Sequence, residues 1–150
     1  MYRLIGSIHT LTGLPGAISE FLRAMDSVRK SVAVEASLSA NELRAMALIA
    51  ETDDATPKLL ALELELTSGA ITAITNGLVA RGLIVRTEHA NDRRSLLLRL
   101  TAEGHRVMEH AYEQFQDALA LSAQPLPTEL KANLVDGLTM MTAHFRGGED

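Results

Sequence analysis

The stretch "HANDRRSLLLRLT", residues 89–101, decides how this chain is read. Asp92 and the adjacent Arg93 and Arg94 stand in a short polar break. Ser95 to Leu100 then reads as a strand returning beside an earlier one, Leu83 to Glu88. Apolar and β-branched runs on either side of "HAND" make a hairpin. Its tip is basic, although the chain carries a formal net charge of −5. Ala55 to Thr101 contains six basic and four acidic residues, whereas the flanks contain eight basic and fifteen acidic ones. A mildly basic centre in an acidic frame points to a local electrostatic task at the hairpin.

Two short helices precede the hairpin. Thr56-Pro57 reads as a cap followed by a first helical residue, where the missing proline amide costs nothing. That helix runs to about Leu64 and carries Leu59, Leu60 and Leu62. "ELTSG" is a tight turn, and Thr67 or Ser68 caps a second helix reaching about Arg81. Gly82 ends it in the left-handed conformation that glycine tolerates. Upstream, Ser39 and Glu42 form a capping box for a helix whose apolar face is Leu43, Met46, Ala47 and Ala50.

Further out, Leu14, Ile18, Phe21, Leu22, Met25, Val28 and Val32 step by three and four, a helical stripe of about five turns. It suits either a partner helix or an ordinary core-facing one. After the hairpin, Thr101 caps a long helix with the stripe Val107, Met108, Ala111, Tyr112, Phe115, Ala118 and Leu119. The prolines of "SAQPLP" break it. Leu130, Leu134, Leu138, Met141 and Phe145 define a last helix, which ends at "RGGED". The fold class is therefore mainly α with a small β-hairpin wing.

Two short helices joined by a tight turn are a helix-turn-helix, a unit that places its second helix in the major groove of DNA. A hairpin directly after it makes a winged helix. In the second helix Ile71, Ile74 and Leu78 face the core, leaving Gly69, Thr72, Ala73, Asn76 and Ala80 opposite. Such small and polar residues can approach a base edge closely. Asn76 can bond adenine bidentately, and Thr72 can meet a thymine methyl or a phosphate. Ser68 lies at a helix N-terminus, which attracts phosphate; capping alone would also explain it. Asn76 is otherwise a solvated surface residue, and the arginines a solubilising tip.

At these residues the sequence resembles the multiple antibiotic resistance regulator (MarR) family of transcription factors. "DRRSLLLRLT" fits that family's wing signature, and "SGAITAITNGLVARGLIVR" carries its Thr at Thr72, its Leu at Leu78 and the Gly-Leu-Ile turn at Gly82 to Ile84. The resemblance covers roughly Leu38 to Phe115. It implies a single domain over residues 1–150, with a winged helix-turn-helix at about 38–101 and dimerisation helices at about 14–36 and 102–146. It implies double-stranded DNA as a partner, reached by Thr67, Ser68, Gly69, Thr72, Ala73, Asn76, Arg93 and Arg94. Arg94 would enter a minor groove, which attracts arginine where it narrows. Asp92 would brace the turn or orient that guanidinium, and Arg93 would meet phosphate. It implies a homodimer held by Leu14, Ile18, Phe21 and Met25 with Leu134, Leu138, Met141 and Phe145. Such a dimer would act as a repressor on a pseudo-palindromic operator. A small aromatic or anionic effector would bind between the dimer helices and the winged unit. Where many members carry a base, this chain has Ala73 and Gly77, which shifts the burden of recognition to the wing and to DNA shape.

Other classes find little support. There is no cysteine, which removes disulfides, thiolate metal sites and thiol redox switching. No catalytic set, Gly-rich phosphate loop or cofactor motif is visible. His89 and Asp92 lack further ligands for a metal, and His105 and His110 do not share a helix face well. The N-terminus has no signal-peptide core, and no apolar run approaches the roughly 20 residues of a membrane span. The expectation is a cytoplasmic regulator without cofactor or metal, not an enzyme. The rival reading is a winged-helix protein-interaction module that has lost DNA binding, supported by Ala73, Gly77 and the acidic total.

Overall fold

A computed structural model describes residues 11–89 and 92–147; for 89, 92–95 and 146–147 the backbone alone is described. The elements are α1 (Gly13–Glu35), α2 (Ala40–Glu51), α3 (Pro57–Leu64), α4 (Ser68–Ala80), β1 (Ile84–His89), β2 (Asp92–Leu100), α5 (Ala102–Ala123) and α6 (Thr128–Gly147). This is the helical protein with one antiparallel hairpin that the sequence predicts. The described residues up to Phe115 form one compact unit and those from Gln116 a second.

In the first unit α2, α3 and α4 start at side-chain caps. Ser39 accepts from the Glu42 amide, and the Glu42 carboxylate accepts from the Ser39 amide at 2.7 Å. Thr56 accepts from Leu59 N–H, and Thr67, not Ser68, accepts from Ala70 N–H. The ends of α1, α3 and α4 share one geometry. Leu38, Leu66 and Leu83 each donate an amide proton back across the last turn to Ala33, Ala61 and Leu78. The residue before each lies in the left-handed region: Ser37 at φ 56°, Glu65 at φ 54° and Gly82 at φ 68°. Only the last is the glycine that this position favours.

Met46, Leu60, Ile71, Leu78, Ile84 and Leu98 are almost fully buried and form the centre of the core. The contributions of α2 and α3 differ from the expected faces. In α2 the buried residues are Leu43, Ala45, Met46 and Ile49, and Ala50 is exposed. This helix packs against α1, α3, α4 and β2, so it is covered over a wide arc and a single stripe does not describe it. In α3, Leu60 and Leu64 are buried, whereas Leu62 is 72% exposed. The four-residue step outcompetes the run of leucines, because an eight-residue helix can turn only one narrow face inward.

The hairpin is longer than expected. β2 begins at Asp92, so the backbone of Asp92, Arg93 and Arg94 belongs to the strand and not to the turn. The register pairs Ile84 with Leu100, Arg86 with Leu98 and His89 with Asp92, with an irregularity at Glu88/His89. The expected turn residues Ala90 and Asn91 lie outside the described residues. Leu98 N–H donates to Ala55 C=O at 2.8 Å, which fastens the hairpin to the α2–α3 connection. Thr101 joins three elements at its root. Its hydroxyl donates to Gly82 C=O at 2.6 Å and accepts from Gly104 N–H at 3.0 Å, while its amide donates to Leu83 C=O.

α1 divides along its length. Val32 and Ala33 are buried and Val28 packs against the core, but Leu14, Phe21 and Leu22 are exposed. The two readings of its stripe therefore apply to different segments. In the second unit none of the α6 residues whose side chains are described is buried, and Leu130, Leu134, Leu138 and Phe145 are exposed. Among the described residues no helix is long and apolar enough to cross a membrane.

Candidate nucleic-acid interface

The exposed face of α4 is the predicted one. Thr67, Ser68, Gly69, Thr72, Ala73, Asn76 and Ala80 are all exposed. Ile71 and Leu78 are buried, and Ile74 is partly buried against the core. Thr75, which the sequence reading left unassigned, is 2% exposed and lies on the inner side. Of the predicted wing residues Asp92, Arg93 and Arg94, the backbone is described as part of β2. The side chains of Asp92, Arg93 and Arg94 lie outside the described residues, and so do the bracing and groove roles expected of them.

Hydrogen bonding narrows what the α4 face can do. The Thr72 hydroxyl donates its proton to Ser68 C=O at 2.8 Å. In this rotamer it offers a methyl group and lone pairs, which suits a thymine methyl better than a phosphate. Ser68 makes no cap, since Thr67 does that work; its amide belongs to the first turn of α4, where backbone donors are free to meet an anion.

Sequence reasoning missed Arg86. From β1 its Nη2 donates to Asn76 Oδ1 at 2.6 Å and to Thr75 Oγ1 at 3.1 Å. Strand alternation carried the signal. Arg86 lies two residues after the buried Ile84, hence on the strand face turned toward the helices, and an arginine stem is long enough to cross to α4. Helix α4 thus has a cation beside it, though none within its own exposed face. Arg81 serves otherwise: it donates to Ser37 C=O at 2.8 Å and lies 3.5 Å from the Glu42 carboxylate.

Gly77 sits near that carboxylate. A Cβ added there would meet Glu42 Oε1 at 3.7 Å, an ordinary contact. Nothing steric requires glycine, and alanine is the better helix former by about 1 kcal/mol. Gly77→Ala is expected to raise unfolding stability by about that amount, read as a shift in the urea midpoint at constant slope.

A second feature lies between α1, α2 and α5, a cavity of about 210 Å³. Arg29 and Arg44 line it, with Val32, Leu43, Met108 and Phe115 as apolar wall and Glu51 and Tyr112 beside them. The Tyr112 hydroxyl donates to Glu51 at 2.8 Å. Burial, then the hydrogen bond and charge of Glu51, push this phenol up to about 12, so it remains a donor at neutral pH.

A capped helix pair, a polar and closely approachable second helix, and a hairpin fastened beside it define a winged helix-turn-helix fold. Comparison with known proteins agrees. Residues 36–95 match the MarR family model. Solved structures with the same fold include wild-type MarR from E. coli, at TM-score 0.72 and 23% identity over 87% of this chain and 98% of that one. A mutant MepR from S. aureus bound to an oligodeoxyribonucleotide gives 0.64 and 17%, over 90% and 99%. CouR from Rhodococcus jostii bound to p-coumaroyl-CoA gives 0.69 and 21%, over 90% and 95%. At these identities the likeness is one of fold. No curated protein matches significantly. The sequence match thus spans residues 36–95, and the fold is the winged-helix fold of these solved structures.

Proposed function

We propose that the whole chain acts as one MarR-like unit, a homodimeric repressor that binds a pseudo-palindromic operator and releases it when a small molecule binds. The observation that carries this reading is the exposed face of α4, where Thr72, Ala73 and Asn76 stand clear of the core beside a hairpin rooted at Thr101. Small side chains there let a helix enter a major groove closely. Arg94 enters the minor groove, Arg93 meets phosphate, and Asp92 braces the turn or orients the Arg94 guanidinium. The protein works where its DNA is, in the cytoplasm, and has no catalytic step.

The dimer is supported by apolar surface that one chain leaves uncovered. Leu14 and Phe21 on α1, and Leu134, Leu138 and Phe145 on α6, are each at least 42% exposed; Ile18, Met25 and Met141 are intermediate. A partner chain with the same helices supplies the cover, and two-fold symmetry then sets two recognition helices about one DNA turn apart. The effector is supported by the cavity lined by Arg29 and Arg44, whose charge and apolar wall suit a small aromatic anion of about one ring. CouR carries a bound aromatic thioester in its own structure.

The test is fluorescence anisotropy on the protein's own upstream DNA and on a scrambled duplex across a salt series. Sequence-selective binding is expected, and Arg94→Ala is expected to lose about 1–3 kcal/mol at matched salt while folding normally. Equal, weak binding to both duplexes would instead favour the protein-interaction reading, for which Ala73 and Gly77 remain the motivation.

A further inference from the structure

The contact between Arg86 and α4 is more than a tether. Its guanidinium is held from two sides, by the nearly buried Thr75 hydroxyl at 3.1 Å and by the exposed Asn76 amide at 2.6 Å. The Thr75 hydroxyl is itself fixed, because its proton goes to Thr72 C=O at 3.2 Å. Arg86 is therefore anchored at a defined point and not free to sweep the surface.

An arginine can only donate. The Asn76 atom that faces it must be the carbonyl oxygen, so the amide cannot flip without placing its NH2 against a cation. We infer that Arg86 is a positioning residue for base reading: it locks the Asn76 side chain with its NH2 turned away from β1, as a donor toward the groove. This rests on the reading of α4 as the recognition helix. An amide held this way addresses the acceptors of a purine edge, N7 above all, and its second oxygen lone pair remains for an adenine amino group. A freely rotating amide would accept either orientation and discriminate less. Among the described residues the other guanidinium nitrogens of Arg86 make no hydrogen bond and no carboxylate pairs with it. The same residue thus brings positive charge to a helix whose own positions 73 and 77 lack it.

The experiment is selection from a random-sequence duplex pool, followed by anisotropy on the enriched site and its single-base variants. The proteins are wild type, Asn76→Ala, Arg86→Ala, Arg86→Lys and the double alanine variant, each checked by melting. Asn76→Ala is expected to lower discrimination at one base pair per half-site by about tenfold. Arg86→Ala is expected to relax the same base pair by a similar factor, and the double variant to relax it no further. Arg86→Lys keeps the charge without the planar fork. It is expected to retain the salt slope yet still relax that base pair, and it serves as the test where Arg86→Ala folds poorly. If Arg86 variants weaken all sequences alike and leave the base preference intact, Arg86 is a phosphate contact and the positioning role is wrong. Relaxation at a different base pair would make it a direct reader and equally overturn the inference. If wild type enriches no sequence, the DNA-binding reading itself fails and takes the inference with it.

Discussion

Gly104→Ala is expected to destabilise the fold by about 3 kcal/mol, the upper part of the range for overpacking. Gly104 is buried in the first turn of α5, and a Cβ there would lie 2.0 Å from the Leu83 carbonyl oxygen. That oxygen has little freedom to retreat, because it accepts from the Thr101 amide at 3.0 Å. The Leu100 Cβ closes the other side at 3.4 Å. Relief would require the start of β1 or of α5 to move, and with it the root of the hairpin. Helix propensity alone would predict a gain of about 1 kcal/mol. The same substitution at Gly77 is expected to stabilise, so the pair gives opposite signs in one urea titration series. Equal, small effects at both sites would mean that the α5–β1 approach is looser than described.

Leu78→Ala is expected to cost between about 2 and 5 kcal/mol, because Leu78 is fully buried on the inner side of α4. In a chain of this size, 3 kcal/mol corresponds to a fall of roughly 10 °C in melting temperature. Leu78 lies two residues from Asn76 and hence across the helix from it. Any loss of DNA binding by this variant then reports a loosened helix and not a missing contact. The check is to compare melting with affinity well below the melting range. A variant that melts normally would show that the core does not depend on this helix.

The two expectations differ in how far the sequence foretold them. Leu78 was legible, because Ile71, Ile74 and Leu78 follow helical spacing between a threonine cap and a terminating glycine. The same local chemistry predicted the Ser39–Glu42 capping box and the start of α3 at Thr56-Pro57. Gly104 was not legible, since its role depends on a carbonyl 21 residues away. Arg86 was missed for a related reason: charge counting records a basic residue but not the element it crosses to. Ser37 and Glu65 end their helices in the left-handed conformation without the glycine that signals it, so only at Gly82 did the sequence announce that geometry. The expected faces of α2 and α3 failed where burial came from several neighbours or from too short a helix. The strand reaching Asp92 was hidden because polar residues at a hairpin tip read as turn whether or not they pair.

The bond from the Leu98 amide to Ala55 has a consequence for the duplex as much as for the protein. Ala55 belongs to the connection that leads into the helix-turn-helix, so hairpin and recognition helix are sewn to the same piece of backbone. The conformational entropy of aligning the two is spent during folding; under the proposed function this precedes any encounter with DNA and favours tight association at a matching site. The span between α4 and the hairpin then acts as a fixed gauge. A duplex whose groove width departs from it must itself bend or narrow, and sequences differ in what that deformation costs. Selectivity can in this way extend to base pairs that no side chain touches.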